Sequence, residues 1–167
     1  MRIDRVWAMP NKWTFTIKPI KELLESEVGD GVWCDPFAGE NGGKYAEHTN
    51  DIERGGKDAL TYLQEFSDEQ FDGVLFDPPY SITQARMYGK KEFSSMKYWA
   101  DCKNGIARIL KPGGKAICFG WSSMGLGKNR GFELQRILLV PHGGSKNDTI
   151  CTVETKLTPP NTKLPKE

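Results

Sequence analysis

The sequence predicts an α/β fold: a mostly parallel sheet covered by helices and closed by a C-terminal antiparallel hairpin. Three observations carry this. Two apolar runs, Val32-Trp33-Cys34 and Val74-Leu75-Phe76, each stop abruptly at an Asp-Pro step. Segments with helical spacing of apolar residues alternate with such runs. Two stretches rich in β-formers follow near the C-terminus, joined by a loop containing Gly143-Gly144.

The elements follow in order. Residues 19–28 form a helix candidate, with Ile20, Leu23, Leu24 and Val28 at helical spacing and Gly29-Asp30-Gly31 as its stop. Residues 32–34 read as a buried strand. The glycines Gly39, Gly42 and Gly43 follow, then a short helix near 44–47. Residues 48–52 form a second strand candidate, with Asp51 at its end. Asp58 is placed to cap a helix reaching Phe66, with Leu60, Leu63 and Phe66 on one face. Residues 71–76 form the next strand, and 81–97 are polar and irregular. A helix over 98–110 is stopped by Lys111-Pro112-Gly113-Gly114, and residues 115–121 make a further strand. Residues 122–131 form a glycine-rich connection or short helix, and 132–141 with 148–156 form the hairpin. Residues 1–156 are expected to make one domain. The proline-bearing tail, 157–167, is expected to be mobile.

Composition narrows the classes. The chain has 167 residues, 38% apolar and 27% charged, which suits one soluble globular domain. Its formal net charge of +1 gives no global polyanion-binding signature, so any nucleic-acid contact must come from local basic clusters. No apolar run is long enough to span a bilayer, and the first residues lack the apolar core of a signal peptide, so a cytoplasmic location is expected. The four cysteines, Cys34, Cys102, Cys118 and Cys151, form no CxxC pair and read as reduced, mostly buried thiols. With only His48 and His142 to join them, no metal site is expected.

The strongest chemical signal is Asp77-Pro78-Pro79-Tyr80, directly after a strand. An amine conjugated with an aromatic ring is a poor nucleophile. Hydrogen bonds from its N–H groups to the Asp77 carboxylate and the Pro78 carbonyl would draw its lone pair out of the ring. Pro78 and Pro79 hold that carbonyl stiffly, and Tyr80 is suited to stack on an extracted base. Asp-Pro steps also favour ordinary turns. The second signal, Asp35-Pro36-Phe37-Ala38-Gly39, is a glycine-bearing turn after a strand. Such a turn lets backbone approach a ligand, and an acid there can pair with an ammonium group. Both motifs fall at the carboxyl ends of strands, where open parallel sheets bind ligands. No G-x-G-x-x-G follows the first strand, which argues against a dinucleotide enzyme.

From Trp13 to Lys156 the chain resembles the N6-adenine and N4-cytosine DNA methyltransferases, including compact phage-borne adenine methylases. Asp77–Tyr80 matches their (D/N/S)-P-P-(Y/F/W) catalytic motif, whose Asp form leans towards adenine. Asp35–Gly39 matches their cofactor motif. Phe15, Thr16, Lys18 and Pro19, with Leu23-Leu24, look like the T-x-K-P segment that contacts S-adenosylmethionine in many members. Lys18-Pro19 is also a plausible helix start. Asp51 falls where the family places an acid on the cofactor ribose, and it also reads as a solvated strand end. Asp58 and Ala59 fall where the family binds the cofactor adenine, a role compatible with helix capping. The resemblance implies a Rossmann-like class I methyltransferase fold with helices on both faces. It also implies S-adenosylmethionine as methyl donor, and direct transfer to adenine N6 in DNA with no catalytic cysteine.

Two departures stand out. The family's cofactor motif reads D-P-F-A-G-S-G, whereas Glu40 and Asn41 stand at its end here. The Glu40 carboxylate would repel a ligand's own carboxylate. In addition, no large target-recognition segment follows Tyr80. The only candidate is the loop 81–97, with Arg86, Lys90, Lys91 and Lys97 interleaved with Met87, Tyr88 and Phe93. These suit phosphate contact and base stacking, or simply a solvated loop. Lys128, Asn129 and Arg130 form a second basic spot. A homodimer or a separate recognition partner would compensate for the missing segment. Two alternatives stay open: amino-methylation of an RNA base, and a non-catalytic cofactor-binding subunit that needs a partner.

Overall fold

The computed structural model describes residues 1–40, 42–79, 96–144 and 146–158. Its strands are β1 (Arg2–Arg5), β2 (Trp33–Asp35), β3 (His48–Thr49), β4 (Phe71–Phe76), β5 (Leu110–Gly120), β6 (Phe132–Val140) and β7 (Thr149–Lys156). Its α-helices are α1 (Lys18–Glu27), α2 (Ala59–Gln64) and α3 (Met96–Ile109). The seven strands form one sheet in the order β1-β6-β7-β5-β4-β2-β3. Every neighbouring pair is parallel except β5–β7 and β6–β7, so β7 alone among these strands runs the other way.

Side chains of the central strands alternate between two cores, as the period of two in a strand requires. Trp33, Leu75, Ile117 and Phe119 pack with Ile20, Leu23 and Leu24 of α1 on one face. Cys34, Val74, Phe76, Ala116 and Cys118 pack with Leu63 of α2 and with Cys102, Ile106 and Ile109 of α3 on the other. Both faces are covered, and this explains why the central strands read as unbroken apolar runs. At the β2–β4 pairing Trp33 lies opposite Gly73, and a Cβ on Gly73 would sit 2.3 Å from the Trp33 ring. Gly73→Ala is therefore expected to destabilise the protein by about 1–3 kcal/mol through overpacking. A lowered urea midpoint would show this; an unchanged one would mean that the indole has room to move.

Several local expectations shift. The Lys111–Gly114 stop lies inside β5, which starts directly after α3. Phe71 pairs with Leu110 and Gly73 with Lys115, so these residues form a bulge pinned by a 2.7 Å bond from Lys111 to Asp72. The second strand candidate shortens to His48–Thr49. Beyond it Asn50 N still donates to Asp35 O, while the Asn50 side chain binds the loop that follows β2. The short helix expected near 44–47 is a single 3₁₀ turn at Gly42–Lys44, and the 122–131 connection holds another at Lys128–Arg130. β1 has no apolar alternation to announce it. It is an edge strand, held to β6 by its ladder and by a 2.9 Å bond from Arg136 to Asp4. The last strand is antiparallel, as expected, and the tail from residue 159 lies outside the described residues.

Glu154 of β7 is 2% exposed and accepts from Leu126 N (2.6 Å) and Gly127 N (3.0 Å). A buried carboxylate thus holds the loop after β5 to the sheet by charge-assisted bonds. Among the described residues, no helix is long and apolar enough to cross a membrane.

Candidate active site

After β2 the chain moves outward to β3, then crosses back to β4 on the other side of β2. This reversal opens a crevice beyond the carboxyl ends of β2 and β4, the place where doubly wound sheets bind ligands. A cleft of about 470 Å³ lies there, within the usual range for small-molecule sites. It is lined from three directions: Pro36, Phe37, Ala38, Gly39 and Glu40 after β2; Asn50 to Arg54, Lys57 and Ala59 after β3; and Asp77, Pro78 and Pro79 after β4. Lys12, Trp13, Thr14 and Phe15 form its remaining wall.

The turn after β2 is shaped from beneath. Asp35 is fully buried; its Oδ1 accepts from Phe37 N at 2.9 Å, while its Oδ2 has no hydrogen-bond partner among the described residues. Burial pushes its carboxyl up to about 8 against the opposing Phe37 N–H, and the charges of Asp77 and Asp51 add to the rise. Gly39 adopts φ +54°, a left-handed conformation that glycine takes without strain. Phe37 packs edge-on against Phe76, with centroids 5.7 Å apart.

Asn50 joins two of the walls. Its amide donates to Pro36 O (3.2 Å) and Lys57 O (2.9 Å), and its Oδ1 accepts from Lys57 N (2.9 Å). Asn50 N also donates to Asp35 O, and Ala38 N donates to Asn50 O. Asn50→Ala would leave several of these groups unsatisfied at a buried position. It is expected to cost about 1–3 kcal/mol, read as a lowered denaturation midpoint; an unchanged midpoint would mean that the two loops hold without it.

Asp51 caps the turn Ile52–Arg54, its Oδ1 accepting from Glu53 N at 2.9 Å. Arg54 pairs with Asp51 Oδ2 at 3.3 Å and with Glu40 Oε1 at 2.6 Å. The Glu40 charge, expected to repel an anionic ligand group, is therefore partly neutralised at the cleft wall. Asp58 caps α2 through Oδ1 and accepts from the Tyr98 hydroxyl at Oδ2, 2.8 Å away. The cleft wall is formed by Ala59 rather than by Asp58.

The site thus brings together Phe15, Pro36, Phe37, Ala38, Gly39, Asp51, Ala59, Asp77, Pro78 and Pro79 from the sequence expectations. Asp35, Thr16, Lys18 and Asp58 do not line it. Thr16 and Lys18 are exposed, and Thr14 lies in the wall instead. Tyr80, Arg86, Tyr88, Lys90 and Lys91 lie outside the described residues. Lys97 donates to Asp101 one turn along α3, and Arg130 donates to Asn104 of α3 and to the Leu126 carbonyl. Sequence reasoning missed Lys12, Trp13, Asn50 and Arg54. Only the uncompensated charge of Glu40 hinted that a cation would come near.

All four cysteines are buried, and burial raises each thiol, Cys102 and Cys118 to about 12. None is suited to act as a nucleophile at neutral pH. No cluster of potential metal ligands occurs among the described residues.

No protein-family model and no curated protein sequence matches this chain. Solved structures do. The 1,6-didemethyltoxoflavin-N1-methyltransferase of Burkholderia thailandensis, solved with 1,6-didemethyltoxoflavin and S-adenosylhomocysteine, is similar over 84% of this chain and 78% of its own, with 13% identity and a TM-score of 0.57. TrmN from Thermus thermophilus is similar over 84% of this chain, with 18% identity and a TM-score of 0.55; the match spans 49% of the TrmN chain. The N-methyltransferase NodS from Bradyrhizobium japonicum WM9, in complex with S-adenosylhomocysteine, is similar over 82% of this chain and 87% of its own, with 10% identity and a TM-score of 0.51. These likenesses establish a Rossmann-like fold shared with methyltransferases.

Proposed function

We propose that this chain is an S-adenosylmethionine-dependent methyltransferase that acts on an exocyclic amine, with adenine N6 in DNA as its leading target. One observation carries the reading: Asp77-Pro78-Pro79 and the turn Pro36–Gly39 open into the same cleft at the sheet's reversal point. The residues suit the donor. The cleft is of ligand size, Asp51 and Asp77 lie in its wall, and Arg54 offsets Glu40. S-adenosylmethionine would supply an electrophilic methyl group on a cationic sulfur.

The chain's own residues do the rest. The loop of residues 36–39, with Asp51 and Ala59, would hold the donor. The Asp77 carboxylate and the Pro78 carbonyl would accept hydrogen bonds from the target amine and free its lone pair for attack. Two consecutive prolines keep that carbonyl from turning away. Positioning and electrostatics then supply most of the rate, without a covalent enzyme intermediate.

The test is transfer of radiolabelled methyl from S-adenosylmethionine to double-stranded DNA, single-stranded DNA and RNA, with nucleoside analysis. N6-methyladenine in DNA is expected. Label in RNA alone would keep the chemistry and change the substrate. Absence of label despite measured donor binding would replace the enzyme with a cofactor-binding subunit.

A further inference from the structure

Among the described residues the cleft wall carries three cations, Lys12, Arg54 and Lys57. Two of them are engaged: Arg54 pairs with Glu40 and Asp51, and Lys57 with Glu65. Lys12 makes no ion pair among the described residues, and its ammonium rests 4.5 Å from the Trp13 ring centroid. Such a contact is weak at an exposed site and gives way readily to a charge-assisted hydrogen bond. The indole beneath it is set in place. Trp13 N donates to Asn11 Oδ1 at 3.0 Å, and Trp13 O accepts from Thr16 N (3.0 Å) and Thr16 Oγ1 (2.8 Å). Two residues on, buried Phe15 packs against Tyr45 and Phe119.

The Trp13 ring comes to 3.9 Å from the point where a Cβ on Gly39 would stand. Lys12 therefore belongs to the end of the cleft formed by the turn Pro36–Gly39. Charge at this end is one-sided. Glu40, next in the chain after Gly39, is offset by Arg54 at 2.6 Å, which leaves Lys12 as a surplus positive charge. The wall's other carboxylates, Asp51, Glu53 and Asp77, follow β3 and β4. They suit a ligand's ammonium group but not its carboxylate. Lys18, the cation that the sequence resemblance favoured, is exposed and does not line the cleft.

We infer that Lys12 binds the carboxylate of the donor's amino-acid end, its ammonium moving to that carboxylate from its seat on the Trp13 ring. The inference rests on the proposed function, since S-adenosylmethionine is the ligand that carries such an end. Calorimetric titration with two ligands tests it: S-adenosylhomocysteine, which has the amino-acid end, and methylthioadenosine, which lacks it. Lys12→Met keeps the length of the side chain and removes its charge. It is expected to weaken S-adenosylhomocysteine roughly fivefold while methylthioadenosine stays within about twofold. Lys12→Arg keeps the charge and is expected to retain most of the affinity. Salt at about 0.5 M is expected to shrink the difference between wild type and Lys12→Met. Equal weakening of both ligands would reduce Lys12 to a prop for Trp13 and overturn the inference. Unchanged affinity of Lys12→Met for S-adenosylhomocysteine would overturn it too. Either result leaves donor binding and methyl transfer standing. Failure of the wild-type chain to bind either ligand would instead remove the donor reading, and this inference with it.

Discussion

Asp77→Ala is expected to lower methyl transfer by roughly 10²–10³-fold or more while leaving binding of S-adenosylhomocysteine nearly intact. The proposed acceptor of the amine's hydrogen bonds is lost, whereas the wall formed by Pro36 to Gly39, Asp51 and Ala59 remains. Asp77→Asn keeps one acceptor oxygen without the charge and should fall between the two. Single-turnover rates with saturating donor separate the chemical step from binding. Retained turnover in the alanine variant would refute the assignment. A parallel loss of donor affinity would move Asp77 from the reacting amine to the cofactor.

The second large effect concerns pH. Asp35 titrates near 8 in the folded chain against an ordinary value of 3.8, because it is wholly buried and faces the charges of Asp77 and Asp51. Below about pH 4 both folded and unfolded forms are protonated, and the group makes no difference. Between about 4 and 8 the folded form holds the extra proton, so stability falls as pH rises, by up to about 1.4 kcal/mol per pH unit. Above that window the full penalty of a buried charge is present. Asp35→Asn keeps an acceptor for Phe37 N and removes the titration. The variant should lose this slope and overtake the wild type towards pH 8. Urea midpoints from pH 5 to 8 decide it: parallel curves for the two proteins would mean that the carboxyl is solvated or paired.

Much of this molecule is local and was legible from the chain alone. The buried strands at β2 and β4 announce themselves because both faces of a central strand are covered, so apolar residues run without a break. The helices show their buried stripe, and Asp58 shows its cap. The order of elements implied a mostly parallel sheet with an antiparallel last strand. The placement of residues 36–39 and 77–79 at strand ends is likewise local, since a breaker after a strand fixes where the chain leaves the sheet.

Other features depend on contacts distant in sequence, and no local pattern encodes those. β1 is four mostly exposed residues with no apolar period; only the ladder of β6 and the Arg136 ion pair make it a strand. Asn50 looks like any polar residue until the loops after β2 and β3 meet around it. The charge of Glu40 was visible, but its offset by Arg54 required the two loops to meet. Asp35, read as a group that would touch a ligand, lies beneath the turn it shapes, because strand packing buries it completely. The sequence by itself determined the central strands, the helices and the chemical groups at the strand ends, but not the edge strand β1. Tertiary structure alone decided which of those groups share the cleft and which are buried under it, because burial and charge pairing are properties of neighbours brought together by the fold.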